Sequence, residues 1–453
     1  MSVFSRLGGT GLRARAARST IFTIVGFGGE NALRLAGNLV LTRLLFPEAF
    51  GLMALVQVVM MGLIMFSDLG LRAAIIQSER GAEPAFLNTA WTLQIGRGCI
   101  LWLATCLLAS PVATFYQEPD LALMLPVAGL TAVFSGFEST RLATANRDLL
   151  LGRLTILTLG TQAFGLMVTI SIALYHPSVW ALVFGGLVAP FLKALLSHSI
   201  LPGNVDRLAF ESTALRHLLN FGRYIFLSTL ATFLISHGDR AILGKFASLT
   251  ELALYNIAFF LASVPLLLIN KIAGDVLFPV LSKAPPGQMS SAVAETLRSR
   301  IWLTLGMILL CAVLAFGGDH LIRVLYDPRY ETAGLLLILI ALAQLPVLIE
   351  STYGPMPLAA GHSGRFAAFV VISALIRVIV LYFAASFYGI IGVALAPAVA
   401  SLLFYPIMLL LTRRYHQWDL RADLVSALAC GVVIICVVLF KADAFQEALK
   451  VFG

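Results

Sequence analysis

The sequence predicts an all-α polytopic membrane protein of about 12–14 transmembrane helices, with thirteen spans by direct count. Composition is the first reason. Of 453 residues, 59% are hydrophobic and only 12% are charged, roughly half the charged share of a soluble domain. Mean hydropathy, at +0.93, is the second. The third is spacing: apolar runs of about 20 residues, the length a ~30 Å hydrocarbon core requires, recur between polar or Pro/Gly breaks. A soluble fold cannot cover its surface with so few polar groups, and a disordered chain would not carry so much apolar bulk.

Taken in order, residues 1–18 form a basic arm with Arg6, Arg13, Arg15 and Arg18. The apolar stretch after it is too long for a signal-peptide core and carries charges, so it reads as the first span. The spans are expected near 19–42, 49–67, 86–109, 120–138, 153–174, 178–200, 217–237, 251–281, 299–316, 332–350, 366–386, 389–411 and 424–440. With the N-terminus cytoplasmic, twenty Lys and Arg fall in inside segments and seven in outside ones, an asymmetry that sets the orientation. The net charge of +8 is therefore read as loop charge, not as a nucleic-acid surface. Connections are short, about a dozen residues at most near 201–216, 238–250, 282–298 and 317–331, which leaves no room for a soluble catalytic domain.

The chain also looks internally repeated. Leu41-Thr42-Arg43-Leu44-Leu45 followed by Glu48-Ala49-Phe50-Gly51-Leu52 resembles Asp239-Arg240-Ala241-Ile242-Leu243-Gly244 followed by Glu251-Leu252-Ala253-Leu254-Tyr255. Six spans separate the two junctions, so the halves share one topology, as in parallel transporter repeats.

Enzymatic and metal motifs are absent: there is no GxxxxGK[ST], HExxH, GxSxG or Asp-x-Asp, and no cofactor site is expected. Cys99, Cys106, Cys311, Cys430 and Cys436 all sit in apolar runs and read as small buried hydrophobes. The informative residues are the ionisable ones inside spans, where a charge costs at least ~2.5 kcal/mol. On the first span, Glu30, Asn31, Arg34 and Asn38 share one helix face, and Arg34 lies about 22 Å along the helix from Ser19. That stripe either looks into a wet cavity or closes on itself as a Glu30–Arg34 ion pair. Arg97, near Gln94, and Arg377, near Ser373, lie halfway along their spans with no carboxylate at helical spacing. Lys271 stands beside Asn270 and four residues before Asp275, and either snorkels, pairs, or faces the same cavity. This excess of cations suggests an anionic guest. Thr155, Thr158 and Gln162, with Ser228, Thr229, Thr232, Ser236 and His237, either line a route or bond helices together.

A set of short motifs carries a resemblance. It comprises Leu45-Phe46-Pro47-Glu48-Ala49-Phe50-Gly51, Ser67-Asp68-Leu69-Gly70, Asn146-Arg147-Asp148, Asp239-Arg240 with Leu243-Gly244, Tyr255-Asn256-Ile257-Ala258, Phe278-Pro279-Val280-Leu281-Ser282 and Tyr388-Gly389-Ile390-Ile391-Gly392-Val393-Ala394. In order and spacing, over about residues 20–411, the set resembles the polysaccharide transporter branch of the multidrug/oligosaccharidyl-lipid/polysaccharide exporter superfamily. The resemblance implies two six-helix bundles around a central cavity, here 19–205 and 206–411, with an extra C-terminal helix and tail over 412–453. Relatives of this kind have twelve or fourteen helices, so thirteen departs from both plans. The resemblance further implies a non-enzymatic flippase of the bacterial inner membrane that moves an undecaprenyl-diphosphate-linked oligosaccharide by alternating access, for exopolysaccharide, capsule or O-antigen synthesis. Its partners would be that lipid-linked oligosaccharide, membrane lipids, and a polysaccharide polymerase and glycosyltransferases. Arg34, Arg97 and Arg377 match by depth the cavity arginines that hold the diphosphate, with Glu30, Asn31, Asn38 and Lys271 around them. Asp68, Asp239 and Arg240 fall in motifs expected to gate. The rivals are a multidrug exporter of the same superfamily, which would want an acidic cavity, and an enzyme or non-transporting component of polysaccharide assembly.

Overall fold

The computed structural model describes residues 12–274, 291–354, 356–357, 362–412 and 419–452; the side chains of 12–20, 217, 219–228, 291–298 and 363 are excepted. The first eleven residues of the basic arm, Asp275, the Phe278–Ser282 motif, Lys283, Arg413 and Arg414 lie outside the described residues. Among the described residues the secondary structure is helical, and the chain divides into two compact units, Met1–Thr229 and Leu230–Gly453.

The first unit holds α1 (Leu12–Leu44), α2 (Pro47–Phe66), α3 (Leu71–Gln77), α4 (Pro84–Tyr116), α5 (Leu121–Gly136), α6 (Arg141–Arg147), α7 (Leu151–Tyr175) and α8 (Val179–Ile200), and the start of α9 (Ser212–Phe246). Proline at the first position starts both α2 and α4, where its missing N–H has no intrahelical partner anyway. Helix α4 packs along α5, and α7 packs along both α8 and α1. The α1–α7 seam is built from small residues. A methyl group on Gly37 would lie 2.8 Å from Leu166 Cδ1, and one on Gly29 would lie 3.0 Å from Leu159 Cδ1, so glycine lets the backbones approach. Thr155 fastens the same seam by donating to the Phe22 carbonyl at 3.2 Å.

The second unit continues with the rest of α9, then α10 (Leu249–Ala262), α11 (Val264–Ile272), α12 (Ser291–Leu325), α13 (Ala333–Ser351), α14 (Ser363–Thr412), α15 (Leu420–Phe440) and α16 (Ala442–Phe452). Helix α13 is apolar but for Gln344, Glu350 and Ser351, and α10, α12, α14 and α15 surround it. A helix without a polar face must be enclosed, and nearly all of α13 is buried. Helix α14 is two helices joined at Gly389, which adopts φ 53° and ψ −138°. If the 35 residues from Phe369 to Phe404 ran straight they would span about 52 Å. Their rings instead meet edge-to-face at 4.9 Å, so the chain folds back on itself at the glycine.

Two ion pairs tie α15 to α12. Arg300 Nη2 lies 3.2 Å from Asp423 Oδ1, and Lys441 Nζ lies 2.8 Å from Asp319 Oδ2. Early residues pair with early and late with late, so the helices run parallel. The pairs are 18–19 residues apart along each helix, about 28 Å, which matches the hydrocarbon thickness of a bilayer. Parallel packing requires an odd number of crossings in between, and α13 with the two arms of α14 supplies three.

Eight of the described helices are long and apolar enough to cross a membrane, or ten when each bent pair counts as one span. Each pair bends at a break, α5 with α6 by 56° and α10 with α11 by 42°. The all-α polytopic class therefore holds, whereas the expected count of thirteen is not reached by this measure. Two causes are visible: the α14 arms count as one helix, and α1 and the described part of α9, residues 229–246 with Asp239, Arg240 and Lys245, are too polar over the lengths compared.

Candidate functional site

In the first unit the polar stripe of α1 is formed as expected. Glu30, Asn31 and Asn38 are half-buried and Arg34 is exposed. The stripe sits about a quarter turn around the helix from the glycine seam, so packing against α7 leaves it uncovered by that helix. Asn31 donates to the Phe27 carbonyl at 2.8 Å, within its own helix. Glu30 and Arg34 form no ion pair with each other, and among the described residues neither has a charged or hydrogen-bonded partner. The self-closing alternative for the stripe is therefore not the arrangement present.

Arg97, on α4, does not reach into open space. Its Nε donates to Ser67 Oγ at 3.0 Å and its Nη2 donates to the Ile64 carbonyl at 2.6 Å. The carbonyls at the last turn of a helix lack intrahelical donors, and a guanidinium satisfies them well. Arg97 thus caps α2. Asp68, in the same motif, accepts the Gly70 N–H at 2.9 Å and closes the turn into α3, where Gly70 has φ 60°.

In the second unit, Arg377 has a counter-ion that helical spacing could not reveal. Its Nη2 lies 3.2 Å from Oε2 of Glu350, on α13, and Ser373 Oγ donates to the same carboxylate at 3.2 Å. The expectation that Arg377 lies uncompensated does not hold, because its partner is 27 residues upstream on another helix. Lys271 is half-buried at the end of α11. Asp239 and Arg240 join two motifs that the sequence displays separately. Buried Tyr255 donates to Asp239 Oδ2 at 2.8 Å, while Arg240 Nε donates to Asn256 Oδ1 at 2.6 Å and its guanidinium covers the Phe259 ring at 4.3 Å. This latch fastens the end of α9 to α10. Of the hydroxyl-bearing residues singled out from the sequence, Thr155 bonds helices together, and Ser236 receives Arg240 Nη1 on its carbonyl at 3.2 Å.

A second buried network was not visible in the sequence. Arg300, 3% exposed, donates from Nη2 to Tyr353 Oη at 2.9 Å and pairs with Asp423. Tyr353 and Tyr405 both donate to Asp423 Oδ2, at 2.6 and 2.8 Å. Arg300 Nη1 is buried without a hydrogen-bond partner among the described residues. Position alone suggests a loop cation for Arg300, since it stands at the end of an apolar run. Only the fold shows that α13, α14 and α15 close over it.

The first unit also contains a polar cavity of about 110 Å³, lined by Arg72, Gln94, Glu138, Ser139, Thr140, Thr158 and Lys193 among others. Beside it Asp206 accepts from Ser139 Oγ at 2.5 Å and from Thr140 Oγ1, which pins the 201–211 connection. Arg80 holds the end of that connection through Glu211 at 2.9 Å. The Thr213 hydroxyl and the Arg80 guanidinium hold the Glu211 carboxyl below its ordinary range, and Glu83 and Glu211 raise Arg80. Among the described residues no group of three or more His, Cys, Asp or Glu is placed to hold a metal ion.

With this geometry in place, the comparison with known proteins is direct. The family described as "Polysaccharide biosynthesis protein" matches residues 40–333. The chain belongs to that family. A relative named "Putative O-antigen transporter" from Escherichia coli (strain K12) is 23% identical over 409 residues, covering 87% of this chain and 96% of the relative. Other curated relatives are longer, and the matched stretch spans about half of their length, 53% and 45% in two cases. Among solved structures, an inward-facing multidrug resistance MATE family transporter of the MOP superfamily superposes with a TM-score of 0.66 at 13% identity, covering 86% of this chain and 95% of that one. The lipid II flippase MurJ in its inward closed conformation superposes with a TM-score of 0.62 at 14% identity, covering 94% and 100%. These two likenesses show the fold, and this member of the family shares it with both.

Proposed function

We propose that the protein is a flippase that carries an undecaprenyl-diphosphate-linked oligosaccharide across the bacterial inner membrane by alternating access, for exopolysaccharide, capsule or O-antigen synthesis. The observation that carries the reading is the α1 stripe: an exposed Arg34 with no counter-ion among the described residues, flanked by Glu30, Asn31 and Asn38 on one helix face. Membership of a polysaccharide biosynthesis family and a relative named as an O-antigen transporter support the cargo class. The lack of room for a soluble domain in the connections supports a transporter over an enzyme.

Chemically, a diphosphate brings about two negative charges, and a guanidinium meets phosphate oxygens through paired, charge-assisted hydrogen bonds. Arg34 would make the first contact, because Arg97 and Arg377 are engaged with Ser67 and Glu350. Arg97 could still join through the N–H groups that its bonds to Ser67 and Ile64 leave over. Asn31, Asn38 and Glu30 would meet the sugar hydroxyls. Asp68 and the Asp239–Arg240 latch would set which ends of the helices stay closed. Binding energy alone does not drive transport: the cargo must favour one access state over the other.

The test is flipping of a fluorescent undecaprenyl-diphosphate sugar in proteoliposomes. Arg34→Gln should abolish transport while the protein inserts normally, and Arg34→Lys should retain part of it. Wild-type transport by Arg34→Gln would place the cargo elsewhere.

A further inference from the structure

The 110 Å³ cavity of the first unit has a composition that the transport reading does not use. It is lined by α3 and α6, the first part of α4, the turn after α5, the start of α7 and the last part of α8, which places it toward one end of the membrane-spanning bundle. Its charged groups are Arg72, Lys193 and Glu138. Glu138 is already neutralised, with Lys193 Nζ 3.1 Å from Oε1 and 3.2 Å from Oε2. Gln94 has spent its amide on the carbonyls of Ser135, Gly136 and Glu138 at 2.9–3.2 Å. What remains is a surplus of donors. Among the described residues, neither the Arg72 guanidinium nor the Thr158 hydroxyl has a hydrogen-bond or ionic partner.

We propose that this pocket is a binding site for a terminal phosphate group, held between Arg72, Thr158 and the free proton of Lys193. A site with unspent donors and one cation that has no partner among the described residues, its Glu138 answered by Lys193 and the neighbouring Asp206 by Ser139 and Thr140, selects an acceptor-only anion. The cavity has room for one tetrahedral oxyanion. Two sources share this chemistry, the phosphomonoester headgroup of a membrane lipid and free phosphate. The site is separate from the α1 stripe, and the inference stands whether or not the proposed cargo is right, because its readout is retention and not transport.

The experiment uses the full chain in nanodiscs containing equal parts phosphatidic acid and phosphatidylglycerol, with retained lipid read by native mass spectrometry after release. Both lipids are anionic, so general surface attraction largely cancels in their ratio. Wild type should retain phosphatidic acid in preference, and Arg72→Gln should reduce that preference roughly tenfold, the loss of one charge-assisted contact. Arg72→Lys should keep part of it, and Thr158→Val should weaken it. Arg207→Gln removes an equal charge from an exposed loop position and should leave the ratio unchanged. If no lipid preference exists but millimolar inorganic phosphate raises the unfolding temperature of wild type and not of Arg72→Gln, the site holds and its source is free phosphate. No response to either probe, or an equal effect of Arg72→Gln and Arg207→Gln, overturns it.

Discussion

Removing either member of the Glu350–Arg377 pair should destabilise the protein more than removing both. The pair is well buried, with side chains 8% and 13% exposed, and its atoms meet at 3.2 Å. Ser373 completes the carboxylate's bonding. Taking one partner from a buried pair leaves an uncompensated charge and costs about 3–5 kcal/mol, whereas replacing both with neutral groups of similar shape is often close to neutral. Glu350→Gln and Arg377→Gln should therefore each cost about 3 kcal/mol. The double variant should cost less than either single variant, which requires a coupling above about 3 kcal/mol. Reversible unfolding of the purified protein in mixed micelles measures all four corners of the cycle. Additive single effects would refute the pairing. Transport then separates two roles. A double variant that is stable and transports normally confines Arg377 to packing; one that is stable and inactive returns it to the cargo path.

Four shorter predictions follow from other sites. A cysteine at position 210 should be shielded from an impermeant reagent in intact cells and one at 247 labelled; the reverse pattern inverts the orientation set by loop charge. A Glu30→Gln, Arg34→Gln double variant should insert normally and stay inactive in flipping; restored polymer export would reduce the stripe to helix packing. The carboxyl of Glu211 is held below its ordinary 4.5, chiefly by Thr213 and then by Arg80, so its tether is fully present above that value and is lost only as pH falls through the lower folded value. Anisotropy of a fluorophore at an Arg207→Cys site should accordingly stay high at pH 5 and drop only below pH 4.5; a drop near pH 6 would refute the tether. Asp423→Asn should destabilise by about 3 kcal/mol, because it leaves Arg300 buried without its anion; unchanged unfolding would show that Tyr353 and Tyr405 suffice.

Apolar run length made the helices legible, since a bilayer requires the same length wherever the run falls. The α1 stripe was legible too, because its residues recur at helical spacing on one element. Partners on other elements were not. Helical spacing tests only three or four positions either way, so it could not find Glu350 for Arg377, nor Ser67 and Ile64 for Arg97. Arg300 misled for a related reason: charge at the end of an apolar run ordinarily marks a loop, but here three helices seal it. The Asp239–Arg240 and Tyr255–Asn256 motifs were each visible, yet their mutual bonding needed α9 and α10 to meet.

The parallel clamp between α12 and α15 bears on how such a chain can gain or lose its last helix. Asp423 arrives with α15, but the cation it answers, Arg300, belongs to α12 in the preceding bundle. A deletion from residue 412 onward would strip that cation of its carboxylate partner among the described residues while leaving it enclosed by α13 and α14. Truncation and charge removal must therefore travel together. A family member that ends after twelve spans should carry a neutral residue where this one has Arg300, and a truncated form of this chain should recover stability when Arg300→Met is added.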